Sequence, residues 1–249
     1  PDPVQPTASV TEPTPTTDPE PSPEPSSEPS PEPTPEPSPE PSPVPTPSGP
    51  WYQAALDFAC DHRILLGDPS GNMMPNDNAT RAQMAAMLVR VFGCTAGKDI
   101  AHLTDVSTTS WYYSELSTAA QMNIFNGYGD GTMGPNRSIT RQEAMIVIAR
   151  AFAVPDGTAA DIQAFRDASS VGSWAVAKVG GLVKAGIVNG DNGSLHPTAS
   201  ITRAEIAQML YNLGLQFCSD AAALPASGRV IYTGAAPLTA DAFTGTLYL

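Results

Sequence analysis

The chain has 249 residues, and its 25 acidic against 12 basic side chains give a net charge of -13 that is unevenly spread. Residues 1–50 hold 20 of the 27 prolines, 15 Ser or Thr, nine acids and no base; the remaining 199 residues carry 16 acids, 12 bases and seven prolines. Weak acidity in that remainder and the lack of a basic stripe argue against nucleic acid as a partner, and with no run of about 18 apolar residues no membrane insertion is expected.

The first segment has almost nothing apolar to bury against its ordering entropy, so residues 1–50 are expected to be a disordered linker rich in Pro, Glu, Ser and Thr. From 19 to 43 Pro alternates with Glu, Ser or Thr, a pattern that favours polyproline II, while like charges oppose collapse. Fully extended, such a segment reaches about 150 Å at roughly 3.1 Å per residue. An SH3-type ligand would need basic residues beside its PxxP, and there are none. A spacer here, in a chain starting at Pro1 without Met or an apolar leader, points to a processed chain or a fragment with cargo upstream. Cys60, Cys94 and Cys218 do not make a disulfide framework; Cys60 is expected in the core and the others to be incidental.

From Trp51 onward the chain repeats. Trp51, Trp111 and Trp174 each precede a glycine by 16 positions, at Gly67, Gly127 and Gly190. Pro75, Pro135 and Pro197 follow, then Thr80-Arg81-Ala82-Gln83, Thr140-Arg141-Gln142-Glu143 and Thr202-Arg203-Ala204-Glu205, in a unit of about 60 residues. After each Trp, apolar residues recur at helical spacing: Leu56, Ala59, Cys60 and Ile64, with counterparts Leu116 to Ile124 and Val179 to Ile187. The glycines, two of them preceded by Asn126 and Asn189, are expected to stop this first helix. A turn-rich loop then leads to the proline.

Thr at the N-cap with Gln or Glu three residues on predicts a capping box, so Thr80 with Gln83, Thr140 with Glu143 and Thr202 with Glu205 are expected to open a second helix. The architecture expected is all-α, three tandem helix-loop-helix units that bury their apolar faces only together. Arg81, Arg141 and Arg203 follow each cap, where a cation opposes the helix dipole at a few tenths to about 1 kcal/mol. Two readings explain a threefold recurrence: free N–H groups plus a guanidinium make an anion site, or each Arg pairs with an acid of a neighbouring repeat. The tryptophans likewise read as core anchors or as stacking faces for a sugar ring.

These residues together resemble the S-layer homology domain. The resemblance covers roughly 51–214 and is carried by the Trp, the loop Asn126-Gly127-Tyr128-Gly129-Asp130-Gly131-Thr132-Met133-Gly134-Pro135, and the motifs at 139–143 and 201–205. It implies a pseudo-threefold assembly whose inter-repeat grooves bind a secondary cell-wall polysaccharide, often pyruvylated, the ketal carboxylate supplying the anion. It assigns Arg81, Arg141 and Arg203 to the acidic sugar, Trp51, Trp111 and Trp174 to the groove aromatic, and Gly67, Gly127 and Gly190 to the groove floor. The expected parts are a linker at 1–50, repeats at 51–102, 103–164 and 165–214, and an extension of unknown role at 215–249.

The first repeat departs from this pattern at Leu66 and Asp68-Pro69-Ser70-Gly71 and lacks a counterpart of Leu103-Thr104-Asp105-Val106; the third has Ala175 and His196. The sites based on Arg141 and Trp111 are therefore expected to be the best preserved. Arg141→Ala is expected to lose binding with the fold intact.

The expected function is a secreted, non-catalytic module at the cell wall or S-layer that tethers cargo, without cofactor or metal. A helical interaction scaffold without carbohydrate binding, or an anchor for an enzyme whose catalytic domain lies outside the chain, are the alternatives. Catalysis within the chain finds little support, because His62, His102 and His196 neither recur in register nor stand beside a nucleophile motif. A calcium loop starting at Asp130 fails because Gly134 stands where an oxygen ligand is required. In 215–249, Arg229–Tyr232 and Thr244–Leu249 have the character of short strands.

Overall fold

The computed structural model describes residues 49–236, 238 and 243–249. The spacer expected at the N-terminus lies, but for residues 49 and 50, outside the described residues. The first helices of the repeats are α1 (Gln53–Asp61), α3 (Tyr113–Gln121) and α6 (Val176–Lys184), and the second helices are α2 (Arg81–Phe92), α4 (Arg141–Ala151) and α7 (Arg203–Asn212). A short α5 (Ala159–Ile162) joins the second repeat to the third and packs on α6.

The first helices end before the glycines expected to stop them. Arg63, Asn123 and Gly186 adopt left-handed backbone, with φ of 56°, 57° and 70°. Ile64 N–H donates to Ala59 O at 2.8 Å, Ile124 to Ala119 at 3.1 Å and Ile187 to Leu182 at 2.9 Å, which is Schellman closure. The isoleucines therefore keep helical spacing as the apolar residue just past the end, buried against the last turn rather than within the helix. Periodicity alone could not separate the two.

All three second helices open with the expected capping box. Thr80, Thr140 and Thr202 accept from the backbone N–H of Gln83, Glu143 and Glu205, whose side chains accept from the cap N–H.

The principal helix pairs lie between repeats: α1 packs on α7, α3 on α2 and α6 on α4, so the three units close into a cycle. At its centre Ile139 N–H donates to Ala79 O at 3.0 Å, Ala79 N–H to Ile201 O at 2.9 Å and Ile201 N–H to Ile139 O at 3.1 Å. These three residues are fully buried and immediately precede the caps. No unit can bury its apolar faces alone, which is the reason for the cycle.

The chain is mostly helical but not all-α. Beyond α7, Gly214 turns the chain into β1 (Leu215–Cys218), followed by β2 (Ser227–Tyr232) and β3 (Thr244–Tyr248) in a parallel sheet of order β1-β2-β3. Tyr248 donates its hydroxyl to Phe152 O at 2.9 Å, Arg229 bonds Leu213 O at 2.9 Å, and Phe217 stacks on His62 at 4.1 Å. The apolar end of the extension thus packs on the helices as a strand. The cysteines are free; Cys218 in β1 is buried, whereas Cys60, expected in the core, is half-buried because it lies at the edge of the α1 apolar face. Among the described residues no helix is long and apolar enough to cross a membrane.

Candidate functional site

The helix starts are not open anion sites. Arg81 and Ala82 N–H donate to Arg137 O and Pro135 O, both at 3.0 Å; Arg141 and Gln142 donate to Ala199 O and Pro197 O at 2.9 and 3.0 Å. Arg203 and Ala204 donate to Asp77 O and Pro75 O at 3.0 and 2.9 Å. With the capping box satisfying two further donors, the N–H groups that a helix end normally offers an anion are used between repeats. This overturns the reading of free N–H groups there, and one acceptor at each helix start is the carbonyl of a recurring proline.

The motif arginines are 5–7% exposed and also reach into the next repeat. Arg81 Nε donates to Met133 O at 2.8 Å and Nη2 to Asn126 O at 3.0 Å, with the guanidinium 4.4 Å from the Tyr128 ring centroid. Arg141 Nε donates to Leu195 O at 2.8 Å. Arg203 Nε and Nη2 donate to Met73 O at 2.8 Å and Leu66 O at 2.7 Å, closing the cycle from third repeat to first. Burial pulls the guanidinium groups of Arg81 and Arg203 below their ordinary range; the nearby side chains of Tyr128 and Glu143 for Arg81, and of Asp77 for Arg203, act against it. Two motif arginines pair with the neighbouring repeat's acid: Arg141 Nη1 lies 2.6 Å from Glu205 Oε1, and Arg81 Nη1 lies 4.0 Å from Glu143 Oε1.

Trp51, Trp111 and Trp174 are 59–65% exposed, so they are not core anchors. Each faces a groove built from all three repeats. The Arg203 groove, about 290 Å³, takes Gly67, Gln83 and Arg90 from the first repeat and Trp111 from the second. The Arg81 groove, about 360 Å³, takes Gly127, Glu143 and Arg150 from the second and Trp174 from the third. The Arg141 groove, about 660 Å³, takes Gly190, Glu205 and Asn212 from the third and Trp51 from the first. Arg141 and Trp111, expected to mark the best-preserved sites, belong to different grooves, because the helices pair across repeats.

The glycines line these grooves at the neck of each loop. A Cβ on Gly127 would lie 2.6 Å from Thr132 O, and one on Gly190 2.6 Å from Ser194 O, so the two loop arms close only over glycine. Gly67 and Gly127 are not left-handed.

Two aspartates to which the sequence pattern gave no role, Asp105 and Asp167, hold the loops. Asp105 accepts from Met133 N–H at 2.8 Å and Gly134 N–H at 2.7 Å; Asp167 accepts from Leu195 N–H at 2.8 Å and His196 N–H at 2.7 Å. Each fixes the loop carbonyl that its motif arginine grips. Burial opposes charge on Asp167, but the two N–H donors prevail and hold its carboxyl below the ordinary value. The signal available was an Asp recurring 28 residues before the loop residue it holds. In the first repeat Asp68 orders the loop locally, accepting from Ser70 and Asn72 N–H at 2.8 and 2.9 Å.

The fold is a cyclic helical repeat module with three composite surface grooves, each pairing a buried arginine with an exposed tryptophan. The family model for the S-layer homology domain matches residues 46–85, 102–145 and 164–207, and the chain belongs to that family. It is 31% identical over 158 residues to the surface-layer 125 kDa protein of Lysinibacillus sphaericus, covering 61% of this chain and 13% of that protein. It is 31% identical over 156 residues to the cellulosome-anchoring protein of Acetivibrio thermocellus, covering 59% and 34%, and 29% identical over 167 residues to an amylopullulanase of Thermoanaerobacterium thermosulfurigenes, covering 66% and 9%. The chain thus spans about a third or less of the length of these relatives.

Proposed function

We propose that the repeats form a non-catalytic anchoring module that binds an acidic, pyruvylated secondary cell-wall polysaccharide and so tethers cargo to the bacterial surface. The location that goes with the family and its S-layer relatives is the cell wall or S-layer surface. Carrying the reading is the recurrence of one composite groove: an arginine held by loop carbonyls, a glycine neck, and a tryptophan open to solvent in each. A sugar ring stacks on the indole while polar groups of the loop and second helix fix its orientation. Residues 51–102, 103–164 and 165–214 are the three repeats in this proposal, and 1–50 links them to cargo upstream. Relatives named for the hydrolysis of polysaccharide favour a second reading of the cargo, an enzyme whose catalytic domain lies outside this chain.

Cosedimentation with purified cell-wall sacculi tests the reading. Intact sacculi should retain the chain, and sacculi stripped of their secondary polymer should not. Equal retention by both would remove the secondary polymer from the mechanism and assign anchoring to the peptidoglycan that remains.

A further inference from the structure

The three grooves differ in charge, most directly at the residue facing the motif arginine. Glu143 and Glu205 stand third in their helices and face the motif arginine of the preceding repeat, whereas Gln83 stands at that place in the first repeat and lines the groove with Arg203. In the Arg141 groove the guanidinium is neutralised by Glu205 at 2.6 Å, and Asp191 adds a second acid to the lining. In the Arg81 groove Glu143 is 4.0 Å away and Arg150 adds a cation. The Arg203 groove is lined by two cations, Arg203 and Arg90, and by no carboxylate.

The acids that influence the arginines of the Arg203 groove do not line it. Asp77 acts on Arg203 and Glu115 on Arg90 through space, yet among the described residues neither arginine has a carboxylate within 4.0 Å. Arg203 is held rigid by Met73 O and Leu66 O, and its Nη1 has no protein acceptor among the described residues. A guanidinium so fixed loses little freedom when an anion arrives, and none of its charge is already committed at contact distance.

Resting on the wall-glycan reading above, we propose that the grooves are not equivalent: the Arg203 groove takes the carboxylate of an acidic sugar, with Gln83 as its specificity-determining residue, and the Arg141 groove favours uncharged sugar. A glutamate beside the arginine competes with a ligand carboxylate for the same donors and repels it. The groove that departs most from the repeat pattern is then the most anion-selective. Both forms of the test position fold, since Gln83 caps its helix as Glu143 and Glu205 cap theirs.

The chain has three tryptophans, one per groove, so indole N–H resonances of the full chain report each groove separately. Titration with a pyruvylated hexose methyl glycoside should move the Trp111 signal at the lowest concentration. Gln83→Glu should raise its half-point for the pyruvylated glycoside about tenfold and shift that for the unmodified parent sugar by much less, and Glu205→Gln should lower the Trp51 half-point for the pyruvylated glycoside. A first response at Trp51 or Trp174, or a Trp111 half-point indifferent to Gln83→Glu, overturns the groove assignment while wall anchoring stands. If no indole signal responds to either sugar, the assignment also falls; retention by intact sacculi would then show that anchoring uses another ligand, and loss of retention would remove both readings.

Discussion

Arg141 and Glu205, 64 positions apart in sequence, meet with Nη1 and Oε1 2.6 Å apart and join the second repeat to the third. Arg141 also holds Leu195 O, so its side chain is a tie between repeats before it is anything to a ligand. The expectation that Arg141→Ala spares the fold therefore changes. Removal leaves a buried carbonyl without its donor and Glu205 without its counter-charge, and Arg141→Met should destabilise by about 2–3 kcal/mol in urea denaturation, less than for a fully buried pair because Glu205 is partly solvated. An Arg141→Met, Glu205→Gln double variant, which keeps the cap acceptor for Thr202 N–H, should recover part of this loss; strict additivity would show that the pair is not coupled.

The capping threonines make a second, smaller test. Thr140→Ala removes the acceptor for Glu143 N–H and should cost about 1 kcal/mol of unfolding free energy, with Thr140→Ser close to wild type. Equal losses from both substitutions would point to the methyl group rather than the hydroxyl.

Gly127→Ala tests the loop neck. A Cβ 2.6 Å from Thr132 O forces apart the arms joined by the Tyr128 N–H to Thr132 O bond of 2.9 Å. The expected cost is about 1–3 kcal/mol, with faster amide exchange at Tyr128. Gly129→Ala, where φ is 81° but no atom lies within 4 Å, should leave the Tyr128 bond protected, separating backbone strain from contact.

Asp167 predicts a pH dependence of known sign. Its carboxyl is held below the ordinary value in the folded chain, so its contribution is present above the unfolded pKa and is lost as pH falls through the folded one. Thermal scans between pH 7 and pH 2 should show Asp167→Asn less stable than wild type at neutral pH, by about 1–2 kcal/mol for two charge-assisted hydrogen bonds, with the gap narrowing in acid. A gap that persists at the acid end would assign the loss to packing.

The repeat, its capped helices and its mostly helical character were determined by sequence alone, because capping and amphipathic periodicity are local: the partners lie three or four residues apart, as Thr140 and Glu143 do. The strands Arg229–Tyr232 and Thr244–Leu249 were partly legible from β-branched and aromatic content, but β1 was hidden behind the end of α7. Helix ends at Arg63, Asn123 and Gly186 were not legible, since the Schellman isoleucine continues the helical spacing. Only the tertiary structure decided which residues share a groove. Arg203 meets Gly67 and Trp111 because α1 pairs with α7 and α2 with α3, and that pairing is set by burial of faces that no single repeat covers. The sequence displayed three arginines, three glycines and three tryptophans in register; closing the chain into a cycle regrouped them and brought Gln83, rather than a glutamate, to Arg203.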